Sequence, residues 1–448
     1  MGPSPSPCDN RPVAASPRNL RRRLPTLLAA LTLIAVACGP ATPSPTVRST
    51  GTAAPSASAT PSGPAVSPTP PPDPATVYRT IAEQVVAIRG IEPTGPVEPQ
   101  VLDEAELKVR IEQSFNEDNP PDLIAANERL LKAMGMFPED ASLSGLYLDL
   151  LGSQIAGFYS PEDDELYVVS RTGALGVGEK VTFAHEYTHA LQDQKFDLES
   201  VDLGAVGEGD RSLGRLSLVE GDATLSMTLW MQQHLTPAEQ VELVRVSLDP
   251  EALAILEKMP PILRESLGFP YTTGLRLVLG IHAEGGWQAV DAAFATPPAS
   301  SEQVLHPEKY EANEAPLVVD IPDDLATRMG VGWTVGLEDT LGEFQLGVWL
   351  RGALDRVVPA NEAAAGWGGD RVVLVNGPNG AWGIALVTDW DSVADATEFA
   401  DAAGQAIPTL AAETGLGHQT GTSRVTLLFA SDPASAVQLD LIMGLTGN

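Results

Sequence analysis

The stretch TFAHEYTHALQDQKFD carries His185-Glu186-Tyr187-Thr188-His189 in a chain of 448 residues that has only six histidines. A chance His-Glu-x-x-His is expected on the order of one per cent of the time or less for so short a pattern. On a helix, residues four apart share a face with Cβ atoms about 6 Å apart, so two imidazoles can address one ion. Two histidines alone hold zinc weakly, whereas a catalytic zinc takes three protein ligands and keeps its fourth position for water. Glu220, in LVEGDAT within the next strong helical pattern, is the expected third ligand. Its neighbours Gly221 and Ala223 are small enough to let that helix approach the metal helix. The chemistry this set implies is hydrolysis: one zinc ion lowers the pKa of a bound water and polarises a carbonyl, and Glu186 takes the proton and returns it to the leaving amine.

Supporting roles are expected around this set. Asp193, one turn beyond His189, could accept the free ring N–H of a ligand histidine, and Asp222 and Thr224 compete for similar duties. A donor to the developing oxyanion is expected from Tyr271, His306 or Tyr310, with His306 and Tyr310 preferred because LHPEKY lies in an irregular, proline-marked segment. GALGVGEK resembles a phosphate loop only in its glycines, since Glu179 separates glycine from lysine. His234, His282 and His418 are isolated, and AGWGGD reads as a tight turn.

The elements that must position these groups are legible in part. TVYRTIAEQVVAIRG, LDEAELKVRIEQSF and PDLIAANERLLKAMG have helical periodicity, and AGFYSPEDDELYVVS predicts a hairpin over residues 155 to 170. The metal helix follows from about Gly178 to Lys195, then a long helix through GDRSLGRLSLVEGDATLSMTLWMQQHL and further helices in TPAEQVELV, DPEALAILEKM, YTTGLRLVLGIHAEGG and GWQAVDAAFA. Residues 297 to 322 turn irregular. Beyond them Thr340 and Glu343 form a capping-box pattern ahead of FQLGVWLRGALDRV. A hairpin across GPNG, a helix in SVADATEFADAAGQAI, a strand in RVTLLFA and a final helix capped by Asp432 complete the chain. The expected fold class is α+β: a mostly helical domain with a small β element over residues 77–320, then a smaller α+β domain over 325–448.

The N-terminal region has another texture. RNLRRR precedes the apolar run LPTLLAALTLIAVA, which ends at Cys38 and is too short to span a membrane, so residues 1–38 read as a signal peptide. Residues 39–76 are almost wholly Pro, Ser, Thr, Ala and Gly and cannot bury enough apolar surface to order themselves. They read as a tether that reaches on the order of 100 Å at about 3 Å per residue. Cys8 and Cys38 are the only cysteines, so no disulfide framework is expected in the folded part. A net charge of −32 argues against nucleic acid or anionic lipid headgroups as partners.

AVAC followed by Gly39 resembles the lipobox of bacterial lipoproteins, which implies export and a lipid anchor on Cys38, with plain secretion as the alternative. HEYTH followed by EGDAT resembles the gluzincin zinc metallopeptidases, in which two histidines on one helix and a glutamate on the next bind zinc. With AGFYSPEDDELYVVS, SSEQVLHPEKY and AAAGWGGDR added, the chain resembles a family of bacterial secreted or lipoprotein neutral zinc metallopeptidases. The resemblance implies a zincin-like domain, zinc on His185, His189 and Glu220, a peptide or protein substrate, and alignment of that substrate along the hairpin 155 to 170. The alternative from another class is a non-catalytic envelope lipoprotein whose zinc is structural and whose C-terminal domain binds a partner.

Overall fold

The computed structural model describes residues 28–31, 73–169, 175–248, 250–418 and 421–445. Most of the expected signal peptide and tether, Cys38 included, lies outside the described residues. No helix among the described residues is long and apolar enough to cross a membrane. The fold is α+β, with two sheets set among helices.

Helix α1 (Pro74–Arg89) is followed by strand β2 (Pro99–Leu102), α2 (Glu104–Asp118), α3 (Pro121–Ala133) and α4 (Leu143–Gln154). The expected hairpin forms as β3 (Ile155–Ser160) and β4 (Glu165–Val169), with Gly157 opposite Val168 and Asp164 closing the turn at φ 57°. A short strand β1 (Leu28–Leu31) adds antiparallel to β3, and β2 adds parallel to β4, giving the order β1-β3-β4-β2. Helix α5 (Val177–Phe196) lies on this sheet, because Gly157 leaves room for it. A Cβ there would stand 2.7 Å from the Thr182 methyl carbon. From Val181 to Gln192 every residue of α5 is buried, so the helix is enclosed on all sides. Glu179, the residue that spoils the phosphate-loop pattern, accepts from the Gly176 amide at 3.0 Å and caps the helix start.

Helix α6 (Gly209–His234) packs along α5, and α7 (Pro237–Ser247), α8 (Pro250–Lys258) and α9 (Pro261–Phe269) follow. A π-turn over Pro270–Gly274 leads into α10 (Leu275–Ala293), which breaks at Gly286 with φ 62°. That break is the division between YTTGLRLVLGIHAEGG and GWQAVDAAFA seen in the sequence. Short helices α11 (Ser301–Leu305), α12 (Pro307–Glu311) and α13 (Leu325–Met329) occupy the irregular region and its exit.

The last third is a five-stranded antiparallel sheet, order β5-β6-β7-β9-β8. Its strands are β5 (Thr334–Asp339), β6 (Trp367–Asn376), β7 (Trp382–Trp390), β8 (Glu413–His418) and β9 (Arg424–Ala430), with α14 (Gly342–Leu354), α15 (Val357–Ala364), α16 (Val393–Ala406) and α17 (Pro433–Met443). Along β6, Val372 and Leu374 join one core with α14 to α16, while Val373 and Val375 join the other with α13 and α17. Both faces are covered, which is why these strands read as continuous apolar runs.

The regions before and after residue 320 share cores. Ala126, Leu130 and Ala133 of α3 pack with the sheet and α14, and Phe344 and Val348 of α14 pack with α9 and α10. The capping box expected from Thr340 and Glu343 does not form. The amides of Leu341 and Gly342 donate to Asp370 at 2.9 and 2.8 Å, Phe344 N donates to Ser301, and Glu343 turns to His306. A buried carboxylate from β6 serves the otherwise unpaired N–H groups at the start of α14 in place of a local threonine.

Candidate metal centre

His185 and His189 project from one face of α5 onto Glu220 of α6. His185 Nε2 lies 3.1 Å from Glu220 Oε2, His189 Nε2 lies 3.3 Å from the same oxygen, and the two nitrogens are 3.0 Å apart. The rings are nearly perpendicular, at 82°, and both present Nε2 to the Glu220 carboxylate. Three atoms at these separations share a point roughly 1.8 Å from each, so His185, His189 and Glu220 could hold a zinc ion at bond lengths of about 2.0–2.1 Å with little rearrangement. All three residues are at most 2% exposed, and two imidazoles with one carboxylate match the donor types of a zinc site.

The three groups perturb one another strongly. Burial pushes Glu220 up, yet the two imidazoles beside it hold its carboxyl down to about 2. Burial would lower His189, but Glu220 and Glu186 hold it up to about 9, while burial keeps His185 below its usual value. The pocket therefore stabilises one positive charge between its ligand atoms. Glu186 is fully buried on the same helix and lies against β3, where a Cβ at Gly157 would stand 3.6 Å from its Cγ.

The supporting residues differ from expectation in several places. The partner of His189 Nδ1 is Gln192 Oε1 at 2.8 Å. Asp193 instead accepts from the Tyr159 hydroxyl and the Leu198 amide, tying α5 to β3 and to its own C-terminus. Asp222 reaches the site indirectly, accepting from Gln192 Nε2 at 2.8 Å. The Thr224 hydroxyl is buried and has no hydrogen-bond partner among the described residues, and Thr188 and Ser226 tie α5 to α6 instead. Gly221 does not face α5; its bare Cα admits the π-turn, with Gly274 O 2.5 Å from where a Cβ would be.

His306 and Tyr310 are engaged away from the trio. His306 Nε2 contacts Glu343 at 2.9 Å and the Tyr310 hydroxyl donates to Thr296 O at 3.0 Å. Tyr271, on the π-turn, has its ring centroid 6.0 Å from that of His185. Proximity to the trio thus favours the tyrosine on the π-turn over the two residues of LHPEKY.

Residues 333–440 match a family described as Domain of unknown function (DUF8575). Comparison with curated proteins and with solved structures found no match. The matched stretch begins just before β5 and ends inside α17, so it covers the five-stranded sheet with α14 to α16 and includes none of His185, Glu186, His189 and Glu220. A second cluster of potential ligand atoms, the carboxylates of Glu302, Glu314 and Asp391, lies elsewhere in the fold. There Lys309 Nζ contacts all three, at 2.6 Å from Glu302 and 2.8 Å from Glu314, so an ammonium already supplies the positive charge.

Proposed function

We propose that the protein is a zinc-dependent peptidase, an endopeptidase of zincin-like architecture, with His185, His189 and Glu220 as ligands and Glu186 as general base. The observation that carries this reading is the convergence of the three ligand atoms within 3.3 Å of one another from two helices, with Glu186 buried one residue after the first ligand. Zinc held there would supply an acidified water and a polarised carbonyl. Glu186 takes the proton from the attacking water and delivers it to the departing amine. Tyr271 is the donor that the reading assigns to the developing oxyanion. The edge of β3 that pairs antiparallel with Leu28–Leu31 can align an extended strand, and because those residues belong to the signal peptide of this reading, that edge would be open to a peptide in the processed protein.

Glu186→Gln keeps the shape and removes the base, so zinc content should stay while peptide hydrolysis falls by a factor of about 10² to 10⁴. His189→Ala should lose the metal itself. Hydrolysis by the wild type that survives both chelation and Glu186→Gln would end this reading.

The near-complete burial of the ligands is the observation that favours the alternative, a structural zinc in a non-catalytic envelope protein. A fourth protein ligand in the absorption spectrum of the cobalt-substituted protein, with no hydrolysis, would select it. The reading also includes export and a lipid anchor on Cys38. Cys38→Ser should release the protein from the membrane fraction, and unchanged retention would refute the anchor.

A further inference from the structure

The geometry points to Arg89, on the first helix of the folded region, as a positioning residue for the ligand His189, acting through Asp222 and Gln192. This inference rests on the zinc reading above. His189 Nδ1 meets Gln192 Oε1 at 2.8 Å; Gln192 Nε2 donates to Asp222 Oδ2 at 2.8 Å and to Val219 O at 3.0 Å. Arg89 grips Asp222 with two prongs, Nε to Oδ1 at 2.7 Å and Nη2 to Oδ2 at 3.0 Å. Every side chain in the series is fully buried.

The series fixes a tautomer by elimination. Val219 O and the Asp222 carboxylate can only accept, so the Gln192 amide must turn its NH2 towards them. Its oxygen is then the group that faces His189, and an oxygen there can only accept. Nδ1 is therefore the protonated nitrogen, which leaves the Nε2 lone pair for the metal. If the amide were reversed, its oxygen would face two acceptors and its NH2 would face the ring.

Each residue has a separate task. A carboxylate directly on Nδ1 would add a third negative charge beside Glu220 and Glu186; the neutral amide holds Asp222 one residue further away. Arg89 balances Asp222 and fixes its plane, which sets where Gln192 Nε2 must lie. Arg89 is itself held from α10: Nη2 lies 2.8 Å from Asp291, and its guanidinium carbon is 4.5 Å from the centre of the Trp287 ring. The position of a ligand on α5 is in this way referred to α1, α6 and α10 together.

The test uses the full-length protein and zinc. Gln192→Met keeps the volume, leaves the Arg89–Asp222 pair intact and removes both amide bonds, so zinc affinity by chelator competition should fall about 10- to 100-fold. Arg89→Lys keeps the charge but loses the two-pronged grip and should weaken zinc binding in the same direction. Because Arg89 acts through Gln192, the double variant should bind zinc no more weakly than Gln192→Met alone. Losses that multiply in the double variant, or single variants within twofold of wild type, overturn the inference. The wild type provides a check that needs no variant: nitrogen-15 histidine spectra of the zinc-loaded protein should show His189 protonated at Nδ1, and a proton on Nε2 overturns it. A wild type that takes up no zinc refutes the zinc reading itself, a result distinct from either of these.

Discussion

Gly221→Ala tests how tightly the π-turn is seated beside the proposed metal ligands. A methyl at Gly221 would lie 2.5 Å from Gly274 O, 2.6 Å from Gly274 C and 2.9 Å from Val278 Cγ2. Two of these atoms belong to backbone, so no rotamer change relieves them. The same seam is tight from its other side, where a Cβ at Gly274 would stand 2.2 Å from Ser217 O. Restoring an ordinary separation of about 3.4 Å requires the π-turn and α6 to part by roughly 0.9 Å, an overpacking that costs about 1–3 kcal/mol. The melting temperature should fall by roughly 2 to 12 °C at about 2–4 °C per kcal/mol. Tyr271 sits three residues before Gly274 and should move with the turn, whereas Glu220 is held on α6 against α5. A displacement near 1 Å at a reacting group costs up to about 10²-fold in rate. The expected result is therefore zinc affinity within a few-fold of wild type, a lower melting point and slower turnover, measured by chelator competition, thermal unfolding and peptide hydrolysis. Unchanged melting and hydrolysis in Gly221→Ala would refute the reasoning.

What the sequence made legible followed from short covalent distance. His185 and His189 stand four apart on one helix, so their spacing fixes a shared face before any tertiary structure is known, with Glu186 next in the chain after the first. Glu220 was accessible because a second helical pattern carries it and small neighbours mark a close approach, although Gly221 turned out to admit the π-turn rather than α5. Gln192 lies three residues after His189, the other helical neighbour spacing, and that spacing is its signal; Asp193, four residues after, has an equally good spacing but is taken by Tyr159 and the Leu198 amide. Arg89 had no local signal, since its partner Asp222 is 133 positions away and an arginine on an amphipathic helix ordinarily faces water. Tyr271 was one of three candidates because nothing in PYTTG marks a π-turn except a proline at its start. In the last third, the apolar strands β6, β7 and β9 were legible. The half-exposed edges β5 and β8, TVGLED and ETGLGH, carry too little apolar pattern to be read as strands. The capping box at Thr340 failed for a related reason: a long-range carboxylate supplied what a local motif would have.

Tyr271 and the junction between α6 and the C-terminal sheet can each be probed by substitution. Tyr271→Phe should lower the turnover number by about 10²- to 10³-fold with zinc retained, while His306→Ala and Tyr310→Phe, engaged with Glu343 and Thr296, should each change it less than tenfold. Equal losses at all three positions in peptide hydrolysis would remove Tyr271 from the mechanism. At the junction, burial pushes the Asp370 carboxyl up to about 6 against the pull of the Leu341, Gly342 and Trp367 N–H donors, with Asp339 adding to the rise. Asp210, buried nearby, is pushed well above its usual value by burial and by Asp370. A carboxyl whose folded pKa lies above its unfolded value near 3.9 stabilises the fold fully below that value, and the contribution is lost as pH rises through about 6. Roughly two pKa steps at about 1.4 kcal/mol each make this about 3 kcal/mol between pH 4 and pH 7. Asparagine matches the size of the acid and cannot ionise, but its NH2 replaces one accepting oxygen, so the comparison is of slopes against pH and not of absolute melting points. Asp370→Asn should therefore flatten the fall of melting temperature with pH over that range, and because the charge of −32 is nearly unchanged, its general repulsion cancels from the comparison. Parallel melting curves against pH for wild type and Asp370→Asn would show that Asp370 is ionised throughout, held by its three donors despite its burial.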